Sequence, residues 1–161
     1  MTPAEIRAAI SADATLLAMV RGYAAQPQWE AVAAGISATH NEVRPRMVSA
    51  RGLAERLPGG PMAAEVILQK LEGAAAAMSL SQDAQTKVLG GLIGRQLKFL
   101  AADGLDFGSP ALRGMLDQLA GASIITADEA AALKAIALVP VSVSEHEVRA
   151  AVFADNGDLL V

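Results

Sequence analysis

The sequence predicts an all-α fold, on three observations. Alanine fills about a fifth of the 161 residues, well above ordinary usage, and it is the strongest helix former while adding little side-chain bulk. Apolar residues make up 53% of the chain but aromatic ones only 3%, which suits slender, closely packed helices better than a sheet rich in Val, Ile and Tyr. Helix-start signals also recur. Thr2/Glu5, Thr126/Glu129 and Ser144/Glu147 each have the spacing of a capping box, in which hydroxyl and carboxylate satisfy each other's backbone donors. The expectation is a compact alanine-rich helical bundle with short N-terminal helices and an apolar C-terminal tail.

Taken in order, Thr2 caps and Pro3 suits the first helical position, so a short helix runs to about Ile10. A second starts near Asp13, carries Leu16, Leu17 and Val20, and stops at Gly22. A third spans about Gln28 to Ile36, with Trp29, Val32 and Ile36 on one side. The stretch ATHNEVRPRMVSARG is the least helical, because Pro45 breaks a helix and pushes its predecessor toward extended geometry. Ser49 caps a short helix to Leu57, and PGGP at 58–61 marks the clearest boundary.

Two longer helices are expected next. Met62, Val66, Ile67, Leu71, Ala74 and Met78 repeat at helical spacing over 61–78. Over 82–102, Val88, Leu89, Leu92, Ile93, Leu97, Phe99 and Leu100 fill half of the helical wheel. After the turn-rich ADGLDFGSP, Ser109 caps and Pro110 starts a helix with Leu112, Met115, Leu116 and Leu119, closed by Gly121. A helix over 127–138 follows, then one that begins EHEVRAAVF, and DNGD at 155–158 reads as a tight turn before Leu159, Leu160 and Val161. The domain reading is an N-terminal helical segment, 1–57, and a main helical domain, 61–161, which could be one continuous domain.

Net charge is −4 with only 19% of residues charged, so nucleic acid is a poor default partner. The chain has no cysteine, which removes disulfide and thiol chemistry and fits assembly in a reducing cytoplasm. The opening MTPAEIRAAI has an acidic residue and helical spacing where a signal peptide has a basic and apolar run. No window approaches the ~18 uninterrupted apolar residues of a membrane span. Mean hydropathy is nonetheless +0.36, which suggests apolar surface covered by a partner.

The glycines of TKVLGGLIGRQLKFL raise the question of a phosphate-cradling loop. Such a loop follows a strand and ends in Gly-Lys-Ser/Thr. Here Gly90 and Gly94 are separated by three residues, Arg95 and Gln96 follow, and SQDAQTKV does not read as a strand. In helical phase the apolar residues sweep one half-circle, and Gly90 and Gly94 lie one turn apart just past its edge. Each glycine costs about 1 kcal/mol of helix stability relative to alanine. Two at neighbouring positions make sense as a packing groove where another backbone comes close; the alternative is a kinked surface helix.

Other chemistry is sparse. His40 and His146 are the only histidines, and neither has a partner at ligand spacing. Glu145, His146 and Glu147 are adjacent, so on a helix they point different ways and suit an exposed first turn. Asp103 and Asp106 around Gly104 miss the register of a calcium loop, as does DNGD. No G-x-S-x-G is present. No catalytic, cofactor or metal residue is assigned. Arg44, Arg46, Arg51 and Arg56 form the only local basic cluster, a dock for phosphate or a partner's acidic side chains, or a solvated surface. Trp29 and Tyr23 serve either as interface anchors or as part of a small N-terminal core.

The segment FLAADGLDFGSPALRGMLDQLAGASIITADEAAALKAIA resembles one found in small accessory proteins of tailed bacteriophages: a helix, a "DGLD-G-P" link, a helix with "MLD-L", then "LTAEEAAALKALA". PVSVSEHEVRAAVF continues the likeness, and the opening MTPAEIRAAI is also similar. The resemblance implies a virion-associated structural protein of the tail region and no named activity. The function expected is a non-enzymatic structural or adaptor subunit, present in the host cytoplasm during assembly and then in the virion. Its partners would be other virion structural proteins, in an oligomeric assembly without nucleic acid or membrane. Candidate contacts are Arg44, Arg46, Arg51, Leu159, Leu160 and Val161. The alternatives are an assembly chaperone for a tail fibre or similar protein, and a small lytic or regulatory helical enzyme.

Overall fold

A computed structural model describes residues 1–22, 28–153 and 159–161. Among them the chain is largely all-α, 69% helical. In chain order the elements are α1 (Pro3–Ala12), α2 (Ala14–Gly22), α3 (Trp29–Thr39), β1 (Asn41–Val43), β2 (Met47–Val48), α4 (Ala50–Arg56), α5 (Gly60–Ser79), α6 (Ala84–Ala102), β3 (Leu105–Asp106), α7 (Pro110–Gly121), α8 (Ala127–Ala135), β4 (Leu138–Pro140) and α9 (Glu145–Val152). The short strands depart from the sequence reading. β1 pairs with β4, and β2 pairs antiparallel with β3, Met47 opposite Asp106 and Val48 opposite Leu105. The helix expected over 127–138 stops at Ala135, and residues 138–140 extend instead.

Local capping chemistry starts the helices where the sequence places them. All three capping boxes form, at Thr2/Glu5, Thr126/Glu129 and Ser144/Glu147. Ser49 Oγ accepts from Gly52 N–H, Asp83 Oδ2 accepts from Thr86 N–H, and Asp13 Oδ1 accepts from the N–H groups of Thr15 and Leu16. Ser109 holds the N-cap position of α7, but its hydroxyl makes no capping bond. The stop of α7 also differs from the sequence reading. The left-handed residue is Ser123, at φ 58°, two positions beyond Gly121, and Ile124 N–H reaches back to Leu119 O at 3.0 Å. That six-to-one bond is the Schellman closure.

Two compact units result, and their limits differ from the expected division at 58–61. Unit 1 combines residues 1–42 with 139–161, and unit 2 is 43–138. The PGGP turn lies inside unit 2, where Gly59 (φ 93°) and Gly60 (φ 64°) adopt a left-handed backbone that allows α4 to be followed at once by α5.

Unit 1 is built from α1, α2, α3 and α9. Ile6, Ile10, Val32, Ile36, Val148 and Val152 are its most buried large side chains. Trp29 is buried at the start of α3 and meets Phe153 edge to face, ring centroids 5.7 Å apart. Arg7 Nη1 donates to Ala151 O at 2.9 Å, satisfying a carbonyl in the last turn of α9. Ser37 Oγ accepts from Val143 N–H.

Unit 2 holds the larger core, with Leu53, Ile67, Ile93, Leu116, Leu119 and Leu133 among its buried residues. Its spine is the α5–α6 hairpin. On α5 the buried positions are Ala64, Ile67 and Ala75, and on α6 they are Gly90, Ile93 and Leu100. A Cβ built on Gly90 would stand 2.7 Å from Met78 Cβ, 2.9 Å from Ser79 N and 3.0 Å from Ala75 O. The α5 backbone therefore comes close at Gly90. At Gly94 the nearest such atom is Ala75 Cβ, at 4.0 Å, an ordinary contact distance. The bond from Lys70 Nζ to Glu129 Oε1, 2.6 Å long, joins α5 to the first turn of α8.

Candidate interaction site

The close approach at Gly90 rotates α6 about its axis relative to what its apolar residues alone suggest. Ile93, Leu97 and Leu100 turn inward with Gly90. The other half of the expected apolar arc turns to solvent: Val88 is 72% exposed, Phe99 46% and Leu92 40%. With Arg95, these residues lie within one narrow stripe at ~100° per residue, and Lys87 and Lys98 run along one edge of it. Lys87, Arg95 and Lys98 are the only charged residues of α6. The face is therefore apolar and uniformly cationic, and among the described residues none of the three cations has a carboxylate within ion-pair distance.

A second apolar surface of unit 2 opens beside the PGGP turn. Met62 (79% exposed) and Val66 (44%), two of the apolar residues that repeat at helical spacing, point out from α5. With Leu57, Ala63 and Ala132 they line a groove of about 650 Å³. Its charged wall is acidic, with Asp128 and Glu129 from the first turn of α8. Arg56, which precedes Leu57, is not among the lining residues.

The arginines expected as one cluster take separate partners. Arg46 is structural: its N–H donates to Asp106 Oδ1 at 2.6 Å, its Nη1 donates to Ile136 O at 3.2 Å, and its carbonyl accepts from Phe107 N–H. Arg44 N–H donates to Ala137 O. Arg51 Nε pairs with Glu55 on the outer face of α4, 3.2 Å away. The carboxylate of Asp106 also accepts from Gly108 N–H at 3.0 Å, so Asp106 closes a turn with the atoms a calcium loop would use.

The C-terminal residues lie against unit 1. Phe153 and Leu159 form an antiparallel bridge, Leu160 N–H donates to Val152 O, and Arg21 Nε donates to Val161 O at 3.3 Å. Val161 packs on the core of unit 1, while Leu159 and Leu160 remain about half exposed. Tyr23 and the DNGD turn at 155–158 lie outside the described residues.

Titratable groups gather in one place the sequence does not reveal, a shallow cleft of unit 1 with Glu5, His40 and Glu42 on its walls. Glu5 belongs to the Thr2 capping box, and the Thr2 backbone N–H, then its hydroxyl, hold the carboxyl below the ordinary glutamate range. His40 Nδ1 is within hydrogen-bond distance of Thr39 Oγ1 and Ile36 O. His146 sits beside Glu147, whose carboxyl is lowered by the Ser144 hydroxyl and backbone. Among the described residues no group of three His, Asp or Glu could hold a metal ion, and no helix is long and apolar enough to cross a membrane. Inside unit 2 an apolar void of about 40 Å³ lies among Leu53, Leu97, Leu100, Phe107 and Leu116, far below the ~300–1,000 Å³ of small-molecule sites.

No family model, curated protein or solved structure matches the chain.

Proposed function

We propose that the protein is a non-enzymatic structural or adaptor subunit of a tailed-phage particle, associated with the tail and acting through helix-face contacts. The observation that carries the reading is the pair of exposed apolar faces on unit 2, Val88, Leu92 and Phe99 on α6 and Met62 and Val66 on α5. Large apolar side chains grouped on a helix face mark protein contacts, and repeated copies of a neighbour are the natural partner in a symmetric particle. The virion assignment rests on the sequence resemblance. In this reading each unit is a compact helical body, and Leu159, Leu160 and Val161 act as an apolar tail that supplements the helix faces.

Mass spectrometry of purified particles tests the reading. The polypeptide is expected in intact particles, cross-linked to a structural neighbour. Binding to a virion protein in lysate combined with absence from finished particles would make it an assembly chaperone. Absence from particles together with no virion partner would overturn the proposal.

A further inference from the structure

Each exposed apolar face of unit 2 offers what the other lacks. The α6 face carries three cations and no acid. The groove beside α5 and α8 carries Asp128 and Glu129 on its wall and no cation among its lining residues. Glu129 is already paired with Lys70, so among the described residues Asp128 is the wall acid outside an ion pair. The two surfaces share no lining residue and belong to different elements of the unit. We infer that the α6 face of one copy docks in the α5–α8 groove of a second copy, head to tail. This deepens the reading of the chain as an assembly subunit by naming the partner of one face, a second copy of this chain.

The physical case lies in charge and shape together. Val88, Leu92 and Phe99 form a ridge one residue wide, and the groove lined by Leu57, Met62, Ala63 and Val66 is the open apolar concavity that admits a helix ridge. Docked this way, Lys87 and Lys98 come to the acidic side of the groove. Packing α6 against α6 across a two-fold axis would instead set the cations of both copies against each other, and like-charge juxtaposition disfavours a contact. A heterologous contact does not saturate in a dimer. It continues into a ring or a filament, depending on whether its rotation closes.

Full-length protein in sedimentation velocity across a concentration series provides the test, with Val88→Glu to spoil the ridge and Met62→Glu to spoil the groove. Both side chains face solvent in the monomer, and far-UV circular dichroism checks that each variant is folded; Lys98→Glu serves as a second, milder ridge variant. The wild type is expected to form species larger than a dimer, weakened several-fold as salt rises from ~50 to ~500 mM. Each glutamate variant alone should associate about tenfold or more weakly. Mixed one to one, the two glutamate variants should form a dimer and stop, because each keeps one intact surface. A wild type that stays monomeric to ~0.1 mM, or a mixture that forms no dimer, overturns the inference. So does an association that Val88→Glu abolishes and Met62→Glu leaves intact, which is the mark of a two-fold contact. A monomer that still enters purified particles sinks the self-contact and leaves the adaptor reading standing.

Discussion

Gly90 and Met78 stand so close that a Cβ on the glycine would lie 2.7 Å from the Cβ of the methionine. Gly90→Ala therefore forces α5 and α6 apart. Overpacking costs about 1–3 kcal/mol, which outweighs the ~1 kcal/mol that alanine adds in helix propensity. Gly94→Ala, one turn along, meets nothing nearer than 4.0 Å, and should stabilise by up to ~1 kcal/mol. Opposite signs in urea denaturation are expected; two changes of the same sign would mean the hairpin does not cross at Gly90.

Asp106 accepts from the backbone N–H groups of Arg46 and Gly108. Asp106→Ala leaves both donors without this partner and should cost about 1–3 kcal/mol. Asp106→Asn keeps an acceptor oxygen and should cost less. If the two variants are equally stable by thermal denaturation, the turn is held by something other than this carboxylate.

Glu129 is held below the ordinary glutamate range, first by the hydrogen bond from Lys70 and then by the Thr126 backbone N–H. A carboxyl depressed in the folded state contributes stability that is fully present above its unfolded pKa of about 4.3, and that is lost as pH falls through the lower folded value. Glu5 and Glu147 shift in the same direction through their own boxes. Melting temperature should therefore fall between about pH 5 and 3, and Glu129→Gln should flatten that fall. An unchanged slope in the variant would show that the Lys70–Glu129 bond carries no charge-dependent stability.

Trp29 is buried against Phe153 in unit 1 and is the sole tryptophan of the chain. Trp29→Ala should cost about 3–5 kcal/mol, and Trp29→Phe distinctly less, because it keeps an aromatic ring. Circular-dichroism melts read both. A small loss in the alanine variant would mark the side chain as an exposed anchor and not part of a core.

Ser123 holds a left-handed backbone at φ 58°, which costs a residue with a Cβ roughly 1–2 kcal/mol. Ser123→Gly should gain up to ~1 kcal/mol in urea denaturation, and a loss would mean that the hydroxyl itself matters.

The capping boxes were legible because each is a pair of residues three apart, and even Glu129, which takes Lys70 on one oxygen, keeps the other for Thr126. The inward face of α6 was not. Its apolar residues span half of the wheel, and helical phase alone does not say which part is covered. The approach of α5 at Gly90 decides that, turning Val88, Leu92 and Phe99 outward. The bond that Arg46 makes was not legible for a similar reason, since the carbonyl it meets belongs to Ile136, far along the chain. The acidic groove escaped notice because its walls come from the α4–α5 turn, α5 and α8, and only folding brings α8 to the other two. The limits of the compact units are equally non-local, because the partners of α1 and α3 in their core lie on α9.

That discontinuity sets an order of events on the ribosome. Residues 1–42 leave the exit tunnel first, but Val148, Ala151 and Val152, which complete their core, emerge only after all of 43–138 has been made. At ordinary translation speeds the delay is about 5–20 s. Over that interval the nascent chain carries Ile6, Ile10, Val32 and Ile36 uncovered, while the intervening segment already has every residue of its own core.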